Sequence, residues 1–275
     1  MTMLASWVGV DTHGVSSAYI ISDSRISWEA KDFFDHGKKV FASSNYPEIF
    51  GYAGDVLFPS IVLQQIIEMI DSDVLFSREM ACEKKNKIVF EKLRYELSNY
   101  PIQRTAKSFY ILHISRDTIV HKAHKDNYPE FNAYLLQYNG SKWHRSSLSI
   151  PKESGCIKIL GSGEKDFSRN YQSFQNGCNK DTSRNVVHCF IETLKSQTDS
   201  CCGGAPQIVG IYRKPNTNGQ YFGVVYNNKR YFAGSEVPAG SRYTNIEWRN
   251  ECFERCDGKN KKRIEGAQRQ PYSKG

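Results

Sequence analysis

The sequence of 275 residues contains no apolar run long enough to cross a membrane, which requires roughly 18 or more consecutive apolar residues. Its start also lacks the basic segment and the apolar stretch of about 7–15 residues that characterise a secretory signal peptide. These two absences exclude an integral membrane protein with helical spans and argue against secretion. We therefore expect a cytoplasmic protein without a membrane partner.

The cysteine motifs of structural zinc sites and of disulfide-rich proteins are also missing. The eight cysteines do not form the dense framework of a small disulfide-rich protein. Cys252 and Cys256 are spaced CxxxC and Cys201 adjoins Cys202, but neither pair is accompanied by a second CxxC or by an HxxxH motif. The seven histidines have no serine or cysteine partner in a recognisable motif. We therefore expect neither a metal site nor a Ser–His–Asp triad.

The sequence does contain the material of a globular α+β protein, with 39% hydrophobic and 13% aromatic residues. Strand patterns alternate with two pairs of helical patterns, and this order favours antiparallel sheets covered by helices. The simplest packing is a four-layer αββα sandwich of two antiparallel sheets flanked by helix pairs. The main predicted strands cover 6–10, 18–22, 38–43, 48–54, 108–115, 131–138, 156–163, 206–213 and 220–226, and the predicted helices cover 57–71, 78–98, 164–177 and 183–197.

Residues 1–235 are predicted to form one domain, within which the polar segment 123–154 is interpreted as an insertion. Residues 236–275 form a C-terminal extension. Its last 18 residues hold six Lys or Arg against one Glu and few apolar side chains, which is typical of disorder. The stretch 259–274 is either a solvated tail or a contact for a polyanion such as nucleic acid.

Five short motifs stand out by their order along the chain. Asp23-Ser24-Arg25 follows a predicted strand, and Lys39-Val40-Phe41 begins one. The run Gly51-Tyr52-Ala53-Gly54-Asp55 ends a strand. Gly161-Ser162-Gly163 precedes a predicted helix, and the last motif, 199–204, is Asp-Ser-Cys-Cys-Gly-Gly. Each motif alone is common in turns and at strand edges, so only their combination is informative.

In this order and spacing, the motifs resemble the proteasome β-subunit and HslV-type branch of the N-terminal nucleophile hydrolases, over roughly residues 5–225. The resemblance implies the αββα fold, hydrolysis of a peptide or small amide without metal or organic cofactor, and assembly into homo-oligomeric rings. An N-terminal Ser or Thr supplies the hydroxyl nucleophile, and its own α-amino group, with an ordinary pKa of about 7.7–8.0, serves as the base.

The resemblance also implies roles for single residues. Lys39 would lower the pKa of the α-amino group by like-charge repulsion, and Asp23 would hold Lys39 in place. The backbone N–H of Gly54 would bind the oxyanion. Three further residues would orient the amino terminus: Ser162, Asp199 and Cys202. Cys202 stands where the family has Ser, and thiols form weaker hydrogen bonds.

The identity of the nucleophile stays open between two residues. Ser6 precedes Asp23 by 17 positions and Lys39 by 33, which is close to the family spacing, but five residues would have to be removed and Ala5 stands where family precursors have Gly. Thr2 would be exposed by excision of the initial Met. A later start of translation is a separate possibility. Thr2 lies four residues too early unless the first strand is longer or bulged.

A protein without a working nucleophile is the third possibility. The chain would then be a catalytically inactive scaffold or binding subunit of the same fold, which contacts polyanions through its basic tail.

Overall fold

The structure is a computed structural model that describes residues 2–28, 32–101, 108–117, 128–196, 198–214 and 216–267. The predicted α+β class is confirmed, because the described chain combines helices with mainly antiparallel sheets. The helices are α1 (Leu57–Asp71), α2 (Cys82–Ser98), α3 (Glu164–Phe174) and α4 (Ser183–Ser196). None of them is both long and apolar enough to span a membrane.

The described strands, in chain order, are β1 (Met3–Asp11), β2 (Gly14–Ser22), β3 (Ile26–Trp28), β4 (Asp32–Phe34), β5 (Val40–Ala42), β6 (Glu48–Gly54), β7 (Phe109–Arg116), β8 (Phe131–Tyr138), β9 (Trp143–Leu148), β10 (Gly155–Gly161), β11 (Gln207–Tyr212), β12 (Gln220–Tyr226), β13 (Lys229–Phe232), β14 (Ser235–Glu236), β15 (Glu247–Arg249) and β16 (Arg255–Cys256).

The strands form two main sheets. Sheet I has the order β10-β1-β2-β11-β12-β13-β14, and β15 joins it by parallel pairing with β12 and antiparallel pairing with β16. Sheet II has the order β5-β6-β7-β8-β9 and is antiparallel throughout. Strands β3 and β4 form a separate hairpin. The hairpin β1–β2 therefore lies inside sheet I, with β10 on one side and β11 on the other.

Three apolar clusters hold these elements together. The first packs α3 and α4 against sheet I, through side chains such as Trp7 and Phe190, and the second packs α1 and α2 against sheet II. The third joins the two sheets, where Leu4 and Ile20 of sheet I meet Leu112 of sheet II. Side chains of a strand alternate between its two faces, so β1 contributes to the first cluster and to the third.

Strand β1 begins at Met3, three residues before the predicted start at residue 6. Met, Leu and Ala are weak strand formers, and local propensity therefore does not mark this segment. Burial decides its structure, because Met3 and Ala5 pack under α4 while Leu4 packs between the sheets. The hairpin β3–β4 was not predicted at all.

The segment interpreted as an insertion contains two strands of sheet II, and the C-terminal extension carries more structure than expected. Residues 131–138 and 143–148, whose sequences predict short strands, are strands β8 and β9. In the C-terminal extension, residues 257–267 form hydrogen-bonded turns, and Arg263 pairs with Cys256. Residues 268–275 of the predicted tail lie outside the described residues, so the domain limits stay predictions.

A buried polar network ties α2 to sheet II. Glu48 on β6 has no exposed surface, and its carboxylate lies 3.2 Å from Lys85 Nζ and 2.7 Å from His113 Nε2. The hydroxyl of Ser115 donates a third hydrogen bond to Glu48, at 2.8 Å. A buried carboxylate is tolerated only when it is paired and hydrogen-bonded in this way.

Replacement of Lys85 by Met tests this network. Lys85→Met keeps the length of the side chain but leaves Glu48 buried without its ammonium partner, and we expect a loss of about 3–5 kcal/mol in the free energy of unfolding, measured by urea denaturation. Lys84→Met, on the exposed side of the same helix, should change it by less than about 0.5 kcal/mol. Equal stability of the two variants would show that the ion pair is dispensable.

Candidate active site

The candidate active site is built around the first described residues. Thr2 is fully buried at the head of β1, and its carbonyl oxygen accepts a hydrogen bond of 3.4 Å from the N–H of Gly163. Gly161 lies against the same carbonyl with φ of +98°, and a Cβ built on Gly161 would lie only 1.9 Å from Thr2 O. The Gly161-Ser162-Gly163 motif thus contacts Thr2 because it has no side chain at its two ends.

Asp23 binds the head of β1 to the rest of the site. Its Oδ1 accepts hydrogen bonds from Lys39 Nζ at 2.8 Å and from the backbone N–H of Met3 at 3.0 Å. Its Oδ2 accepts from the N–H groups of Gly203, at 3.1 Å, and Arg25, at 3.2 Å. Asp23 and Lys39 have no exposed side-chain surface. The carboxylate therefore joins four chain segments. The ammonium of Lys39 and the backbone amide of Met3, directly after Thr2, donate to the same oxygen of Asp23.

The loop 199–204 contributes the predicted supporting residues. Cys202 Sγ donates to Asp199 Oδ2 at 3.3 Å and lies 3.7 Å from Ser162 Oγ. Burial raises the pKa of the Cys202 thiol, so the sulfur stays protonated and acts as a donor. Burial would also raise the pKa of Asp199, but hydrogen bonds from Ser162, from the Cys201 N–H and from Cys202 outweigh it and lower that pKa. Asp199 is therefore a carboxylate at neutral pH.

Gly54 lies at the end of β6 with φ of +104°, a conformation that favours glycine. The N–H of Tyr52, on the same strand, donates to the carbonyl of Lys39 at 3.1 Å. The oxyanion-binding role of Gly54 remains a prediction.

The two candidate nucleophiles differ in position. Leu4 pairs with Ser22 across the hairpin β1–β2, so Met3 lies opposite Asp23. Ser6 pairs with Ile20, and its hydroxyl donates to the carbonyl of Lys158 at 3.3 Å. At about 3.3 Å per residue, Ser6 lies about 10 Å along the strand from Met3. The geometry therefore favours Thr2 over Ser6.

The hairpin β1–β2 is longer than the predicted strands 6–10 and 18–22. Both β1 and β2 contain nine residues, and the pairing of β1 shifts between Gly9 and Val10 on the β2 side and between Ser6 and Trp7 on the β10 side. The first shift leaves one additional residue, Ser16 of β2, between Thr2 and Asp23, whereas the second leaves Ile157 of β10 unpaired. Strand β1 is thus longer than predicted, and the hairpin contains one irregularity, both of which bring Thr2 closer to the required position.

Gln207 is a site residue that the sequence did not indicate. Its side-chain oxygen accepts from the N–H of Lys39 at 2.9 Å and of Val40 at 3.3 Å, and its Nε2 donates to the carbonyls of Asp23 at 3.0 Å and Gly37 at 2.8 Å. One buried amide thus fixes the backbone of both members of the ion pair. The only signal in the sequence is a polar residue at the start of an apolar strand.

Among the described residues, no three metal-ligating side chains lie close enough together to hold a metal ion. No protein-family model matches the chain, and no curated protein matches it. The geometry of this site is therefore the basis for assigning a function.

The contact between Gly161 and Thr2 can be tested with a matched pair of glycines. Gly161→Ala forces a methyl group against the Thr2 carbonyl, whereas Gly14→Ala introduces the same backbone strain, at φ of +96°, into open space. We expect Gly14→Ala to cost about 1 kcal/mol of unfolding free energy and Gly161→Ala to cost clearly more, as measured by thermal unfolding. Equal losses would mean that the glycine motif does not position Thr2.

Replacement of Gln207 tests its role in the site. Gln207→Leu is similar in size but leaves four buried backbone groups without their partner, and we expect a loss of about 3 kcal/mol or more in unfolding free energy. Gln220→Leu is the control on the adjacent strand, because the Nε2 of Gln220 is buried without a partner in the described chain. It should be neutral or slightly stabilising. If both variants unfold at the same denaturant concentration, Gln207 does not hold the site together.

Proposed function

We propose that this protein is an N-terminal nucleophile hydrolase, similar to the proteasome β-subunit and HslV type, that cleaves an amide bond through an acyl-enzyme on Thr2. The substrate class is a peptide or a small amide. The observation that carries the proposal is the carboxylate of Asp23, which accepts hydrogen bonds both from Lys39 and from the amide of Met3, directly after Thr2.

The arrangement of the core supports the same proposal. One apolar cluster lies under each helix pair and a third joins the sheets. This is the packing that a four-layer αββα sandwich requires, with β1 in one of its two central layers. In such a sandwich the head of β1 lies at the edge of both sheets, where β2, β5 and the loop before β11 also meet.

The residues have complementary tasks in the acylation step. Once the chain begins at Thr2, its α-amino group is free to accept the proton of the Thr2 hydroxyl, directly or through water. The hydroxyl oxygen attacks the carbonyl carbon of the substrate. The ammonium of Lys39 lowers the pKa of the amine by like-charge repulsion, which keeps a larger fraction neutral at pH 7. Asp23, whose side chain is buried with that of Lys39, holds Lys39 in place.

Collapse of the tetrahedral intermediate completes the reaction. The N–H of Gly54 stabilises the oxyanion, an interaction worth about 3 kcal/mol in comparable sites. The C–N bond of the substrate breaks, and the leaving amine takes the proton from the α-ammonium group. Water then hydrolyses the ester on Thr2 with the α-amino group again as base. Three residues orient the amine through their hydrogen-bonded chain: Ser162, Asp199 and Cys202.

Thr2 variants test the proposal directly. Thr2→Ala removes the nucleophile, and hydrolysis of fluorogenic peptide amides should fall by several orders of magnitude, while Thr2→Ser should retain measurable activity. Ser6→Ala, which removes the alternative hydroxyl on the same strand, should leave the rate nearly unchanged. Intact-mass analysis of the purified protein should give a chain that begins at Thr2.

The inactive-scaffold alternative predicts a different set of results. If the protein hydrolyses no amide although its chain begins at Thr2, it is a non-catalytic relative. If activity survives Thr2→Ala but not Ser6→Ala, the nucleophile is Ser6 and the assignment to Thr2 is wrong. Activity of a protein whose first residue is still Met1 would contradict the N-terminal mechanism altogether.

A further inference from the structure

Strand β13 and the C-terminal extension that follows it carry a group of cations without an ion-pair partner in the described chain. Residues 229–263 contain nine Lys and Arg side chains. Three of them form ion pairs, Lys229 with Glu236 and both Arg249 and Arg255 with Glu247. The other six make no ion pair in the described chain: Arg230, Arg242, Lys259, Lys261, Lys262 and Arg263.

Three of these cations line one cavity of about 550 Å³, namely Arg230, Arg242 and Lys259. The carboxylate in its lining is Asp257, and this group is already engaged, because its Oδ1 accepts the N–H groups of Lys259 and Asn260, both at 2.8 Å. The cavity therefore has a positive lining. It also contains the hydroxyl-bearing side chains of Ser241 and Thr244.

The walls of this cavity are fixed by hydrogen bonds and ring contacts. The guanidinium of Arg230 lies 4.5 Å from the ring centre of Tyr243 and donates to the carbonyls of Gly258 and Lys259. Trp248 Nε1 donates to the carbonyl of Tyr243 at 2.9 Å, and the indole occupies the space where Gly258 would carry a Cβ. Two segments distant in sequence, 239–244 and 257–259, are thus held together.

Arg242 and Lys259 have no side-chain hydrogen bond or ion pair within the described chain, although they face this built cavity. The turn that carries Lys259 continues to Lys262, whose carbonyl accepts the N–H of Asp257 at 2.8 Å, and to Arg263. The positive charge therefore extends beyond the cavity along one turn. A single small anion would contact only some of these cations, whereas a polyanion with regularly spaced charges would contact all of them.

We propose that this cavity and the adjoining turn 257–263, called here the basic patch, bind the phosphodiester backbone of a nucleic acid. Phosphate oxygens are bound in proteins by Arg and Lys together with hydroxyl side chains, and the patch offers both kinds of donor. The net charge of the chain, +8, favours the same partner. This function is independent of the proposed hydrolase and goes beyond it.

The proposal is tested by fluorescence anisotropy of labelled oligonucleotides of about 20 nucleotides. Single-stranded DNA, double-stranded DNA and RNA are titrated with the full chain between about 50 and 200 mM salt. The double variant Arg242→Glu, Lys259→Glu should weaken binding at least about tenfold. The slope of log K against log[salt] should fall by the amount that corresponds to about two phosphate contacts. Thermal unfolding is compared with that of the parent protein, and Arg242→Gln, Lys259→Gln provides a milder change.

The control has the same change of charge at another place. Lys84→Glu, Lys87→Glu lies on the exposed face of α2, and its effect on binding should be small. If it weakens binding as much as the patch variant, the attraction comes from net charge alone and the patch is not a site. Loss of binding only in Arg269→Gln, Lys274→Gln would assign the contact to the end of the chain and would also overturn the proposal.

Two further outcomes decide the chemistry of the partner. Polyglutamate of equal charge should compete poorly with the oligonucleotide, and equal competition would show that the patch accepts any acidic chain. Absence of binding to all three nucleic acids at about 50 mM salt would refute the proposal outright. Neither result depends on amide hydrolysis, so the two proposals succeed or fail separately.

Discussion

The ion pair between Asp23 and Lys39 is the interaction on which the rest of the site depends. Both charges are fully buried, and an isolated charge in that position would be strongly destabilising. The pair is stable because the carboxylate also accepts three backbone N–H groups, which leaves few of its lone pairs without a donor. This requirement fixes the distance between the head of β1, the end of β2, the start of β5 and the loop before β11.

Gln207 extends this constraint to the backbone. Since its single side chain satisfies groups on both sides of the ion pair, β11 cannot shift along β2 without breaking four hydrogen bonds. The site is therefore positioned by strands rather than by loops alone, which is the arrangement that gives a reacting group a precise location. The same residues that could support catalysis also contribute to the folding of sheet I.

The charged groups outside the candidate active site fall into separate sets with different consequences. The network around Glu48 lies between α2 and sheet II, and its carboxylate contacts Lys85, His113 and Ser115, which suits a structural role. The basic patch of the C-terminal extension is different, because Arg242 and Lys259 face a cavity without partners in the described chain. The side chains of the Glu48 network have no exposed surface, whereas Arg242 and Lys259 are exposed and can reach a ligand.

Much of the fold was predictable from the sequence, because hydrophobic periodicity is a local property. The helix at 57–71 and the strands at 48–54, 131–138 and 220–226 were predicted with the bounds that the structure has. The five motifs were recognised by residue type and order alone, and the structure brings four of them together around the head of β1, while Gly54 lies at the end of β6.

Only the tertiary structure decided whether Thr2 or Ser6 lies beside Asp23 and Lys39. The number of residues between Ser6 and Asp23 suggested Ser6, but contact across a hairpin depends on register, and the register depends on how Met3, Leu4 and Ala5 are buried. Gln207 and the basic patch were likewise beyond a reading of the sequence, because their partners are distant along the chain. Residue types and local periodicity can be identified directly in the sequence. The pairing of distant strands, in contrast, is fixed only when the apolar faces of both sheets pack together.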